Sequence, residues 1–308
     1  MDLKKYRGRH FLTLLDYTES EIRELIDLAI KMKKGKVKKS LKGKSLALLF
    51  EKPSTRTRVS FEVGMTRLGG HALYVDLRTT QLGRGESIAD TARTFSRYVD
   101  GVMARLYKHT TIEEFAKYST VPVINGLTDM FHPCQTMADM QTVFEHKGDV
   151  EGLKVVFLGD CGFNMFHSTM IGFSKLGADV YGICPNKPEY MPKNEVFEKA
   201  KKQAKGKIVI GHDISLVEGA DVVITDTWVS MGQENEQQRL EDLKPYQVNL
   251  ELMKKAKEDA IFMHCLPAHR GHEVVDDVID GKWSVVFDEA ENRLHAQNAI
   301  LVALLGGK

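Results

Sequence analysis

Residues 45–70 read SLALLFEKPSTRTRVSFEVGMTRLGG, and this stretch decides the fold. Leu46-Ala47-Leu48-Leu49-Phe50 is an unbroken apolar run, the pattern of a strand buried on both faces. Val59-Ser60-Phe61-Glu62-Val63-Gly64-Met65 reads as a helix that ends at Gly69-Gly70. Between them, Ser54-Thr55-Arg56-Thr57-Arg58 occupies a strand-to-helix turn and the first helical turn. The free N–H groups and the positive end of the helix dipole at such a turn favour an anion. Guanidinium forks and hydroxyls suit the oxygens of a phosphate. The plainer alternative is a Ser N-cap followed by solvated arginines.

Outward from this turn, strand-like and helix-like runs alternate to the end of the chain. Strands are expected at Ser45–Phe50, Ala72–Val75, Gly101–Leu106 and Val121–Asn125 in the first half. In the second half they are expected at Lys154–Leu158, Ala178–Ile183, Ile208–Gly211, Ala220–Thr225, Ala260–His264 and Val285–Phe287. Helices should start near Ser54, Ser87 and Thr111, the last two with an acid three residues on (Asp90, Glu114), as in a capping box. A final amphipathic helix is expected over about 292–305, packing back on the first domain. The alternation predicts an α/β protein of two domains, each a parallel β-sheet flanked by helices. The polar, glycine-punctuated segment Glu145–Gly152 marks the boundary, giving domains 1–147 and 148–308.

Bulk composition narrows the function class. A chain of 308 residues also suggests about two domains by length. Its 43% hydrophobic and 28% charged residues are those of a soluble globular protein. A formal net charge of +1 supplies no bulk field to recruit nucleic acid or an anionic membrane. The lysine-rich stretch Lys31–Lys44 lacks interleaved aromatics and reads as a solvated helix end and loop. Cys134, Cys161, Cys184 and Cys265 are widely spaced without a CxxC pair, which points away from a disulfide framework or zinc knuckle. Free thiols fit a reducing compartment. No apolar run approaches the ~18 residues of a membrane span, and Met1–Tyr6 lacks the apolar core of a signal peptide. A cytoplasmic setting is expected.

In open parallel sheets, ligands bind outside the carboxyl ends of the strands. Arg105 closes one strand and needs a partner there, either an ion pair or a ligand. His132-Pro133-Cys134-Gln135 opens a helix. Proline suits its first turn, and the dipole disfavours a charged imidazole. A neutral His132 and the Gln135 amide can then address a carbonyl or its oxyanion. The polar loop Arg78–Ser87 reads as a lid or as an arm reaching a neighbouring subunit. Leu158-Gly159-Asp160-Cys161-Gly162-Phe163-Asn164 lacks the G-x-G-x-x-G of a dinucleotide site. Asp226, followed by Thr227-Trp228-Val229-Ser230-Met231-Gly232, can hold an ammonium group or cap a helix. His264-Cys265-Leu266-Pro267 offers a thiol and an X-Pro bond that can be cis. Adjacent side chains on a strand face opposite ways, so a Cys–His nucleophile is disfavoured.

Four of these segments, Ser54–Arg58, His132–Gln135, Asp226 with Ser230–Gly232, and His264–Pro267, occur in one order at strand ends. In that combination the chain resembles the transcarbamoylases, the aspartate/ornithine carbamoyltransferase family, and within it the branch that uses ornithine. The similarity runs from about Tyr6 to Leu305. The resemblance implies transfer of a carbamoyl group from carbamoyl phosphate to L-ornithine, giving L-citrulline and phosphate. It also implies an active site between two domains, a homotrimer open to further assembly, and no metal or organic cofactor. Carried over residue by residue, Ser54, Thr55, Arg56, Thr57, Arg105, His132, Gln135 and Arg293 hold carbamoyl phosphate, and Gln81 reaches a neighbour's phosphate site. Asn164, Asp226, Ser230, Met231, Cys265 and Leu266 hold ornithine. Arg105, His132, Thr57 and Cys265 sit closest to the reacting atoms. Arg58 is left to a structural ion pair. Phe163 stands where the family commonly has a second asparagine, and it cannot donate a hydrogen bond. The competing readings are another acceptor, such as putrescine, or a nicotinamide-dependent oxidoreductase using Leu158–Asn164.

Overall fold

The computed structural model describes residues 2–80, 85–230 and 235–306, so the expectations for Gln81 and Met231 fall outside the described residues. The chain divides into two compact units, one formed by Met1–Gln141 with Glu291–Lys308 and the other by Thr142–Ala290.

The first unit is built on β1 (Ser45–Phe50), β2 (His71–Asp76), β3 (Gly101–Arg105) and β4 (Val123–Leu127). They form one parallel sheet in the order β2-β1-β3-β4. β1 lies inside the sheet and is buried from Leu46 to Phe50, which is why its sequence is continuously apolar rather than alternating. Ala47, Leu49, Val102, Ala104, Ile112 and Phe115 belong to the core that packs on it. The parallel register sets Phe50 beside Arg105, so the turn after β1 and the end of β3 share one edge of the sheet.

The helix after β1 runs from Thr55 to Arg67, and Gly69 follows it at φ +78°, a backbone angle that glycine adopts without penalty. The helix Ile88–Tyr98 is capped as the sequence suggests, with the Ser87 side chain accepting from Asp90 N. The helix near Thr111 differs. It begins at His109, and its cap residue Lys108 makes no side-chain bond. The first N–H is satisfied instead by Asp129 Oδ1 at 2.8 Å, a carboxylate twenty residues away that local capping rules do not reach.

The second unit contains β5 (Lys154–Leu158), β6 (Asp179–Ile183), β7 (Ile208–Gly211), β8 (Val222–Thr225) and β9 (Ile261–His264). They pair in parallel in the order β7-β6-β5-β8-β9. Val156, Leu158, Val223 and Phe262 form part of its core. The strand order reverses at β5, so the turns after β5 and β8 flank the place where such sheets bind ligands.

Val285–Phe287 is not a strand. Ser284 makes a single bridge to Phe262, and a helix then runs from Val286 to Leu305. Three apolar residues do not reveal a period, whereas Asp288 and Glu289 in the first turn complement a helix dipole. The amphipathic run at 292–305 is therefore the later part of a longer helix. Its end packs on the first unit. A Cβ at Gly64 would stand 2.3 Å from Asn298 Oδ1, and one at Gly101 would stand 2.8 Å from Leu305 Cδ2, so close approach of this helix requires glycine at both places.

Candidate active site

In the first unit, Ser54 caps the helix Thr55–Arg67, its hydroxyl accepting from Thr57 N at 3.4 Å. The capping reading and the anion reading are therefore compatible, because the remaining N–H groups of this turn stay directed past the cap. Thr57 is fully buried. Its hydroxyl accepts from Arg293 Nη2 at 3.2 Å and, at the limit of bonding distance, from Arg105 Nη1 at 3.5 Å. Arg293 Nη1 donates to Gln135 Oε1 at 2.7 Å, and Arg293 Nε donates to Gln297 Oε1 at 3.0 Å. Gln135 Nε2 donates onward to Asp139 Oδ1, and Gln297 Nε2 to Ser60 Oγ. These contacts join four segments of the chain and fix two guanidinium groups at one sheet edge.

His132 precedes the helix Pro133–Lys147 and is 4% exposed. Burial, then the positive charges of Arg293 and Arg105, hold its imidazole well below the ordinary histidine range. It is a neutral donor near pH 7. Cys134 is buried against Asn125 O, and burial pushes its thiol up to about 12, so it is inert. Arg56 makes no ion pair with any described residue, whereas Arg58 pairs with Glu62 at 3.1 Å and lies over the Tyr74 ring. The two arginines of one pentapeptide thus separate, one to a structural pair and one left available to an anion. Thr55 is exposed at the same turn.

Lys52 escapes a sequence reading. It is 4% exposed, with Nζ 4.7 Å from the Tyr107 ring centroid, and burial followed by the charge of Arg105 lowers its pKa. A buried lysine beside an arginine makes a positive site, which the Asp129 and Glu51 carboxylates offset only in part. The signal in the sequence was a lysine immediately after a buried strand, yet an exposed loop lysine looks the same. Gln297 escapes as well, because an amide at one position of an amphipathic helix carries no local signature.

In the second unit, Asn164 opens the helix Asn164–Lys175 and is 2% exposed, while Phe163 occupies the cap position without a side-chain bond. Gly162 N donates to Asp160 Oδ1, and Asp160 pairs with Arg239, whose Nε donates to Trp228 O. Arg239 thereby ties the turn after β5 to the segment after β8. Ser230, at the end of that segment, is partly exposed.

Asp226 Oδ1 accepts from Thr227 N at 2.7 Å and from the Cys265 thiol at 3.1 Å. Burial raises the Asp226 pKa, with the neighbouring His264 and these two donors opposing. A carboxylate in this position is relieved by a cationic ligand. The Leu266–Pro267 bond is cis, and Leu266 has φ +56°.

His264 and Cys265 do not simply face opposite ways. β9 ends at His264, so the alternation stops there, and one ligand atom from each of Asp226, His264 and Cys265 lies within 4.8 Å of the others. The imidazole is nevertheless committed elsewhere. Leu266 N donates to His264 Nδ1 at 2.8 Å, which places the ring proton on Nε2, bonded to Glu273 Oε1 at 3.1 Å. With both nitrogens engaged, His264 serves neither as a base for Cys265 nor as a ready metal ligand. Glu273, fully buried, also accepts from His269 N, and Glu289 Oε2 accepts from His264 N. These two carboxylates hold the strand end, and sequence reading assigned neither.

Comparison with known proteins fits both half-sites. Residues 9–145 match the carbamoyl-P binding domain of aspartate/ornithine carbamoyltransferase, and residues 151–304 match its Asp/Orn binding domain. The chain is 56% identical over 313 residues to an ornithine carbamoyltransferase of Carboxydothermus hydrogenoformans, covering 99% of this chain and 100% of that protein. It is 54% identical over 309 residues to the anabolic ornithine carbamoyltransferase of Pyrococcus furiosus, covering 97% of each. A solved ornithine carbamoyltransferase structure from P. furiosus superposes with a TM-score of 0.92 at 54% identity, covering 97% of this chain and 98% of that one. The strand-end residues and the full-length similarity agree, and the chain belongs to the aspartate/ornithine carbamoyltransferase family.

Proposed function

We propose that the chain transfers the carbamoyl group of carbamoyl phosphate to the δ-amine of L-ornithine, giving L-citrulline and phosphate in arginine metabolism. The observation that carries this reading is that each unit holds its own polar group, and the two groups are chemically unlike. One collects Arg105, Arg293, Lys52 and a helix N-terminus around the buried Thr57 hydroxyl. The other presents a half-buried carboxylate, Asp226, bonded to the Cys265 thiol. A phosphate dianion with a carbonyl suits the first, and a diamino acid suits the second.

The steps follow from these groups. Ser54, Thr55, Arg56 and the N–H groups of their turn bind the phosphate. Arg105, His132 and Thr57 donate to the carbonyl oxygen, while Gln135 and Arg293 fix the carbamoyl group. The neutral δ-amine attacks the carbonyl carbon, the C–O bond to phosphate breaks, and phosphate leaves as the amine loses a proton. Each donor aimed at the developing oxyanion contributes about 3 kcal/mol. Because His132 is neutral, it donates a hydrogen bond without bringing a further charge. Asp226 and Ser230, with Met231, hold the α-amino group. Asn164 faces the carboxylate, and Cys265 and Leu266 line the δ-amine.

The family resemblance also supports a homotrimer with Gln81 reaching a neighbour's phosphate site. Val59 at 50% and Tyr98 at 77% exposure are apolar surface of the first unit that a neighbouring copy would cover. The four free thiols support a cytoplasmic setting. No helix among the described residues is long and apolar enough to cross a membrane. Phosphate release from carbamoyl phosphate measured side by side with ornithine, acetylornithine, aspartate and putrescine tests the acceptor. Preference for any of the last three refutes it. Sedimentation giving any mass other than that of three chains, or a multiple of three, refutes the trimer.

A further inference from the structure

The second unit holds a group of sulfur atoms that carbamoyl transfer does not use. Cys161 lies in the turn after β5 and Cys184 directly follows β6, and both are fully buried. β5 and β6 are paired neighbours, with Leu158 opposite Ile183, so the two strand ends bring the thiols to the same corner of the sheet. Cys184 Sγ lies 3.9 Å from Met191 Sδ. Two glycines keep this corner open. A Cβ at Gly182 would stand 2.9 Å from Cys161 Sγ, and one at Gly162 would meet the Glu189 and Met191 carbonyl oxygens at 2.5 and 3.0 Å. Met191 is partly exposed and gives the group an edge toward solvent.

Two thiols and a thioether are a donor set for a soft cation. Thiolate and thioether sulfur select Cu(I) over the hard divalent ions, which seek oxygen. The distance agrees. Three sulfurs bound in a plane at ~2.3 Å stand about 4.0 Å apart, against the observed Cys184–Met191 separation of 3.9 Å. Zinc favours four ligands, with nitrogen or oxygen often among them, whereas the group here is three sulfurs. We propose that Cys161, Cys184 and Met191 form a binding site for a soft monovalent cation, Cu(I), in the second unit.

Loading is ligand exchange without electron transfer. Cu(I) leaves its carrier, metal–sulfur bonds form, and each thiol that becomes a thiolate loses its S–H bond and releases the proton to solvent.

The test uses the full chain carrying Cys265→Ser, which removes the partly exposed thiol as a competing ligand. Under anaerobic conditions it is titrated with Cu(I) held as a bicinchoninate complex, and loss of the complex's colour is followed. The protein should withdraw one equivalent and develop ultraviolet sulfur-to-copper absorption. Cys184→Ser should abolish this, and Met191→Leu should weaken it about tenfold or more. Leucine is close to methionine in volume, so the latter variant keeps the packing, and circular dichroism checks that it does. Failure to withdraw copper overturns the proposal. So does equal withdrawal by folded Met191→Leu and its parent.

Discussion

Thr57→Val removes one hydroxyl from a fully buried position and leaves the shape of the side chain almost unchanged. That hydroxyl accepts from Arg293 Nη2 at 3.2 Å and from Arg105 Nη1 at 3.5 Å. The second distance is too long to count for much, so the magnitude rests on the first. A hydrogen bond to a charged group contributes about 1.5–3 kcal/mol. Arg293 retains its bonds to Gln135 and Gln297, which keep the guanidinium in place and limit the structural loss. The Thr57 hydroxyl is also proposed to meet the reacting carbonyl, and a donor to a developing oxyanion is worth about 2.7–4 kcal/mol. Either contribution alone predicts a fall in kcat/KM for carbamoyl phosphate of roughly 10- to 1,000-fold. Steady-state kinetics at saturating ornithine read this directly, with urea unfolding alongside to separate stability from catalysis. Thr57→Ser, which restores the hydroxyl, should stay within about threefold of the parent, because no hydrogen bond is lost. Parental kcat/KM in folded Thr57→Val would refute the reasoning, since the guanidinium contacts would then be structural only.

Arg56→Gln should lower kcat/KM by about 100-fold or more while changing unfolding free energy by no more than ~0.5 kcal/mol, because Arg56 makes no ion pair with a described residue; a stability loss matching the activity loss would show a structural arginine. Asp226→Asn should raise the KM for ornithine by about 30-fold, from removing one partner of a buried charge pair worth at least ~2 kcal/mol, and leave the KM for carbamoyl phosphate unchanged. Equal shifts in both would place Asp226 outside the acceptor site. The lowered pKa of His132 makes a stability prediction. The unfolded chain takes up a proton near pH 6.5 that the folded chain refuses, so stability is complete above that pH and declines as pH falls below it. Its slope approaches ~1.4 kcal/mol per pH unit for each such histidine, and His10, also lowered by burial, adds its own share. His132→Gln should make the loss in unfolding free energy between pH 7 and pH 5.5 smaller than in the parent; equal losses would contradict the buried neutral imidazole.

Strand positions were legible in the sequence wherever the strand is buried on both faces. β1 and β5 run from the residues their apolar patterns mark, because covering both faces of a parallel sheet demands continuous apolar sequence. The pattern failed at Val285–Phe287, where three residues do not distinguish a strand from the first turn of a helix. It failed also at His109, whose cap is Asp129, a tertiary neighbour. Among the proposed site residues, Arg105, His132, Asp226 and Cys265 could be named from the sequence because strand and helix ends are where a parallel sheet presents polar groups. Lys52, Glu273 and Gln297 were not, because their significance lies in burial and in partners.

The sequence by itself therefore determined the alternation of elements, the chemistry available at their ends, and the family. It also separated Arg58, whose Glu62 partner lies one helical turn away, from Arg56. Only the tertiary structure decided how these groups are held. Thr57 meets Arg293 across 236 positions of chain, His264 is withdrawn from Cys265 by Glu273, and two strand ends bring Cys161 and Cys184 to the same corner of the sheet. The physical reason is range. Periodicity and capping act within a few residues, whereas burial, charge pairing and the protonation of an imidazole depend on whatever folding brings within a few ångströms.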